Sequence, residues 1–189
     1  MYTQLSFFNS GYTELPVTDP SDSEGKSLQS KIDQFEPVFL ENILGYEQSK
    51  LLTAAYNDDD AWAVAFVEGA EYTALDGTLQ KWQGFKTEGK SAIALYVYCI
   101  HREMTSSATN STGESTTTLQ NGSRVSPEFK IIAAWNEMVK LNFKMHEYII
   151  VNQSDFAKYI GLTTDVYNYN PMYVQPNQNL FIAKNSFGL

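Results

Sequence analysis

One cysteine and two histidines are the residues of this 189-residue chain best suited to nucleophilic or metal chemistry. Cys99 and His101 suggest a thiolate and its base, yet such a pair must meet within hydrogen-bond reach. Two positions apart on a helix, they point about 200° away from each other. Cys99 therefore reads as a small buried hydrophobe. No disulfide can form within these residues, and no oxidising compartment is implied. His146 falls on an apolar stripe and reads as an interior or interface histidine. Neither histidine stands in a His-x-x-x-His or Cys-x-x-Cys setting, so zinc is unsupported. The run Asp58-Asp59-Asp60 invites a calcium or magnesium reading but lacks the alternating ligands and turning glycine of such loops, and reads as a solvated helix end. Gly69, Gly77 and Gly84 are spaced for a hairpin, not for a phosphate-cradling loop. Any two of the 22 Asp and Glu could meet as an acid–base pair, and nothing in the sequence singles out two. The expectation is a chain without catalytic residues, cofactor or metal.

Helices are the elements that would hold these residues. The strongest signal is Ser126–Val151, with Ser126 as N-cap, Pro127 at the first helical position and Glu128 in the first turn. One stripe runs through Phe129, Ile132, Ala133, Asn136, Val139, Phe143, His146 and Ile150. A second, Ile131, Trp135, Met138, Met145 and Ile149, lies beside it and predicts a helix buried from two directions. Ser91–Met104 reads as another helix. Tyr46–Tyr56 reads as a third, with Leu51, Leu52 and Ala55 facing inward. A turn at Ser30–Gln34 followed by a restart at Glu36-Pro37, running to Leu44 before Gly45, accounts for residues 28–45. Between these, Glu71–Leu75 and Thr78–Phe85 flank Asp76-Gly77, a pair suited to a type I′ hairpin turn. Trp62 and Trp82 are placed to pack that ribbon on the helices.

The predicted fold is mainly α: a helical bundle with a small β-hairpin and extended N- and C-terminal arms. Residues 1–27 form the N-terminal arm, in which Thr3–Phe8 could be a strand. Residues 28–151 form the body and 152–189 the C-terminal arm, with a possible helical turn at Ser154–Ile160 and a short strand at Asn179–Lys184. Within the body, eleven of the nineteen residues 105–123 are Ser or Thr. Such a segment buries too little apolar surface to offset its own ordering, so it is either mobile or paired with something outside the monomer. The arms carry many of the twelve Tyr and eleven Phe. They are read either as docking on the parent domain or as contacting partners. Phe7, Phe8, Tyr12, Trp135, Met138, Met145, Tyr169, Tyr173, Phe181 and Phe187 are the candidate interface residues.

The net charge of −9 is unevenly spread, with residues 1–60 carrying eleven acids against three bases. That balance suits neither phosphate neutralisation nor tight nucleic-acid binding. It fits a passage through which DNA slides without sticking, or a solvated acidic face. The first residues lack a basic segment and a long apolar core, and no window approaches the roughly 20 apolar residues that span a bilayer. The expected setting is the cytosol or an intracellularly assembled particle, without a membrane.

Three stretches carry a resemblance: FEPVFLENILGYEQSKLL at Phe35–Leu52, LQKWQGF at Leu79–Phe85, and the couple from Ser91 to Val139 containing SAIALYVYCIHREMTSSAT and NGSRVSPEFKIIAAWNEMV. Together they are similar to the head–tail connector (adaptor) proteins of tailed bacteriophages of the crAss-like type. The resemblance covers about residues 30–150. It implies a structural virion protein at the head–tail junction, assembled in the host cytoplasm as a homo-oligomeric ring, a dodecamer by expectation. The ring would join the portal protein to other neck and tail proteins and extend a channel that DNA crosses without specific binding. The alternatives from other classes are a small helical enzyme or ligand-binding domain, and a non-ring adaptor that binds a single protein.

Overall fold

In the computed structural model, residues 1–15, 21–105, 108–110, 113–115, 128–156, 180 and 182–184 are described. Five helices and two short ribbons order the described chain: α1 (Ser23–Leu44), α2 (Tyr46–Asn57), α3 (Ala61–Glu68), β1 (Ala70–Thr73), β2 (Leu79–Trp82), α4 (Ala92–Thr105), β3 (Ala108–Asn110), β4 (Gly113–Ser115) and α5 (Glu128–Val151). It is a mainly helical bundle with a small antiparallel hairpin.

Helix α1 is longer than the sequence suggests. Asp22 caps it, its carboxylate accepting the Gly25 amide at 2.5 Å, and the helix passes through Pro37 without restarting. Pro37 removes one i→i−4 bond, a defect the helix tolerates because Phe39, Leu40, Ile43 and Leu44 beyond it are buried. Gly45, at φ 81°, ends α1 and serves as N-cap of α2. A second corner follows. Asp58, Asp59 and Asp60 donate backbone bonds to Ala54, Tyr56 and Ala55, and Asp59 sits at φ 58°. The acidic run is therefore the turn between α2 and α3, and α3 (Ala61–Glu68) is a helix additional to those the sequence predicts.

The first ribbon pairs Ala70 with Trp82 and Thr73 with Leu79. Its turn differs from the expected two-residue type I′. The Ala74 amide donates to the Thr78 carbonyl at 2.8 Å and the Gly77 amide to Ala74 at 2.9 Å, so Leu75-Asp76-Gly77 is a three-residue loop. Gly77 takes the left-handed position at φ 84° and Asp76 does not, as a type I turn closed by a glycine bulge requires. At the other end of the ribbon Gly69 and Gly84 lie back to back. A Cβ on Gly84 would come within 2.5 Å of the Val67 carbonyl and the Gly69 nitrogen, so only glycine allows the crossing.

Above that crossing Phe66 is the centre of an aromatic cluster. It lies 5.9 Å from Trp82, 5.3 Å from Phe85, 5.9 Å from Tyr148 and 4.9 Å from Phe156. The Trp82 indole N–H donates to the Phe66 carbonyl at 2.7 Å, which satisfies the one polar group its burial would otherwise orphan. Trp62 meets Phe156 edge-on at 5.3 Å. The ribbon is thus pinned to α3 and α5 by rings, and Tyr72 adds a bond from its hydroxyl to Glu147 at 2.8 Å.

Helix α4 lies between α1 and α5 and packs on both. Ser91–Leu95 and Val97–Cys99 are all buried, the signature of a helix apolar on every side. On α5, both sequence stripes are largely covered by the chain itself, though Phe129 at its start is 71 % exposed. Ser126 and Pro127, read as its cap and first residue, lie outside the described residues.

The N-terminal residues do not extend away. Leu5–Phe8 and Gly11–Thr13 form 3-10 turns in place of the expected strand. Tyr2, Phe7, Phe8 and Leu15 are buried against the body. The buried Glu36 carboxylate accepts the backbone amides of Tyr2 and Thr3, each at 2.8 Å. After α5, a single 3-10 turn at Gln153–Asp155 leads to the buried Phe156, and residues 157–160 of the expected helical turn lie outside the described residues. Residues 182–184 form no strand. They run along α5 instead.

Candidate functional site

The groups best suited to covalent or acid–base chemistry are sealed. Cys99 is buried, and burial pushes its thiol up to about 12. Its sulfur points to the Ile131 carbonyl at 3.6 Å, so it packs the α4–α5 seam rather than offering a nucleophile. His146 is buried in α5, and desolvation brings its imidazole down to about 4. His101 is lowered too, by desolvation first and by Arg102 and Lys31 second. Both histidines are therefore neutral near pH 7. Lys86 donates to the Tyr56 hydroxyl at 2.7 Å, and Tyr56 donates to Glu68 at 2.9 Å. The Tyr56 contact raises Lys86 above its ordinary value, which keeps it a cation that ties α2 and α3 to the segment after β2. Among the described residues no group of three or more His, Cys, Asp or Glu is placed to hold a metal, and no helix is long and apolar enough to cross a membrane.

The candidate interface residues separate sharply. Phe7, Phe8, Met138 and Met145 are buried within this single chain, so they form core rather than available surface. The reason is the fold-back of residues 1–15 and the packing of α5 on α4, which the spacing of apolar residues alone does not distinguish from packing on a partner. Tyr12 stays half exposed. Trp135 is partly covered by the chain's own C-terminal residues: its indole donates to the Ile182 carbonyl at 2.8 Å. Asn136 exchanges two bonds with the Lys184 backbone, at 2.9 and 2.7 Å, and Asn142 donates to the Leu180 carbonyl at 2.8 Å. Lys184 completes this clasp, 4.3 Å over the Trp135 ring and 3.6 Å from Glu103. Of the two readings of the arms, docking on the parent domain is the one these residues take: Leu180, Ile182 and Lys184 bond to the chain's own α5. Tyr169, Tyr173, Phe181 and Phe187 lie outside the described residues.

Two surface features remain as candidate sites. The first is the β3–β4 ribbon inside the Ser/Thr-rich segment. It pairs Ala108 with Ser115 and Asn110 with Gly113, and among the described residues each strand has only the other as sheet partner. The second is an open groove of about 970 Å³ along α1 and α2, lined by Pro37, Leu40, Tyr46, Leu51 and Ala54, with Glu41, Glu47 and Lys50 among its polar groups. Leu51, expected to face inward, is half exposed here. Leu52 and Ala55 take the buried face, and a neighbour one residue earlier on a helix points about 100° away. The adjacent pair Leu51-Leu52 was the sequence signal for this surface, since a single narrow stripe cannot take both.

Compared with known proteins, the chain matches no family model, and no curated protein or solved structure is significantly similar to it.

Proposed function

We infer that this chain is a structural subunit of a head-to-tail connector ring in a tailed phage particle, joining a portal to neck and tail proteins. The observation that carries the reading is the β3–β4 ribbon. It lies in sequence between α4 and α5, helices that fall within one of the three stretches resembling such connectors, and its sheet consists of two three-residue strands. A two-stranded ribbon of that length has little stability by itself in water. Its outer edges, unpaired among the described residues, are templates for adding a strand from another chain, which is the use a connector would make of it. Exposed Met104 in the last turn of α4 adds apolar area beside its base. The acidic bias of residues 1–60 agrees with a surface that DNA passes without adhering.

The test is a variant in which residues 107–124 are replaced by a short Gly-Ser linker. Helical circular dichroism and the melting temperature should stay close to those of the parent, while incorporation into particles or onto portal rings is lost. Normal incorporation of the ribbonless protein would overturn the reading, and so would imaging of assembled particles in which this chain lies away from the portal.

A further inference from the structure

Helix α4 packs on both α1 and α5, and the α1–α2 groove and the exposed edge of α5 carry complementary chemistry. On α5 the exposed residues are Phe129, Lys130, Lys140 and Lys144. At 100° per residue all four fall within an arc of about 100°, so they form one stripe: an aromatic ring at one end and three ammonium groups along it. Phe129 is 71 % exposed, so the stripe joins apolar area to its ammonium groups.

The groove presents the counterpart. Its floor is apolar, with Tyr46 56 % and Leu51 50 % exposed. Glu41 and Glu47 stand at one end, and the exposed Asp58–Asp60 run follows Asn57 at the other. Lys50 lies 4.6 Å over the Tyr46 ring, the lone cation of that face of α2. The spacing also agrees. Glu47 and Asp58 are separated by roughly 17 Å of helix, and Lys130 lies roughly 15–21 Å from Lys140 and Lys144.

We propose that the α1–α2 groove of one copy receives the Phe129 edge of α5 from a second copy of this chain. Phe129 fills the apolar floor near Tyr46 and Leu51, and the lysines lie against the carboxylates at the two ends. Because groove and stripe are different surfaces of the same subunit, the contact is head-to-tail and propagates from copy to copy, closing into a ring where the rotation allows. The proposal rests on the ring reading above and names the surfaces that ring would use.

Two single-cysteine variants, Leu51→Cys and Phe129→Cys, test it under mild oxidation. Both positions are exposed, and buried Cys99 serves as an unreactive internal control. Disulfide-linked dimers should form when the two variants are mixed and not from either alone, and the double variant should give a ladder of higher multimers. Phe129→Ala, with circular dichroism unchanged, should weaken self-association by about thirtyfold, as expected for an aromatic anchor. Oligomers of native mass without the Leu51–Phe129 link overturn this interface and leave the ring reading standing. Links within each variant alone indicate a symmetric dimer and overturn both. A monomer without links at the highest soluble concentration overturns the interface, and particle imaging then decides the ring.

Discussion

Substituting Glu36 by glutamine should release the N-terminal residues from the body. The side chain is 6 % exposed and holds the Tyr2 and Thr3 amides with its two carboxylate oxygens. Glutamine keeps one acceptor but turns an NH2 donor toward the second amide. One charge-assisted bond becomes neutral, and one buried N–H is left unpaired; each change is worth about 1–3 kcal/mol. The expected loss is about 2–6 kcal/mol. In a chain of this size that lowers the melting temperature by roughly 4–24 °C. Thermal melts give the global figure, and amide hydrogen exchange of residues 2–8 gives the local one. Exchange there should accelerate well before that of α4, because Tyr2 and Phe8 lose their hold while the helices remain packed. A melting temperature shifted by less than about 2 °C, with Tyr2 and Thr3 still protected, would refute the reasoning.

Two other outcomes follow from buried groups. Gly84→Ala combines a left-handed φ of 76° with a Cβ driven into the backbone of Glu68 and Gly69. A loss of at least about 3 kcal/mol is expected, readable in urea titration, whereas Gly77→Ala, with open space around it, should lose only about 1–2 kcal/mol from its conformation. Because the folded pKa of His146 lies below the unfolded value of about 6.5, the unfolded state binds the extra proton first. Stability is therefore full above about pH 6.5 and declines as pH falls toward about 4. The contribution is about 3 kcal/mol, and His146→Leu should flatten that part of the pH–stability curve; a curve unchanged by the substitution refutes the assignment.

The parts of this fold that the sequence disclosed are those set by period. Ser91–Met104 and Tyr46–Tyr56 emerge as α4 and α2 with boundaries nearly unchanged, because the apolar spacing and the glycine after Leu44 act locally. Pro37 misled because a proline opening a helix and one carried inside a longer helix look alike in sequence. The Asp76-Gly77 pair located the hairpin, but the turn type depended on how many residues the strands left over, and that was set by Trp82 seating under Phe66. Four of the interface candidates are buried in the chain itself for a related reason. Phe7, Phe8, Met138 and Met145 have the composition of a contact surface, and only the fold-back of the chain reveals that they are already covered. Phe129, by contrast, sat on a good stripe and was counted as core, since periodicity tells which face a residue is on and not whether anything lies opposite it.

The central place of α4 sets the thickness of the molecule. Two successive helix packings of about 8–10 Å set an upper limit of roughly 16–20 Å on the separation of the α1 and α5 axes. The side chains that fix this width include Ala92 and Ala94, both fully or nearly fully buried. Enlarging either would act as a shim, pushing the outer helices apart without touching any exposed residue. In a closed array, where each unit spans a fixed angle, such a shim would alter curvature and so favour a different number of copies or prevent closure.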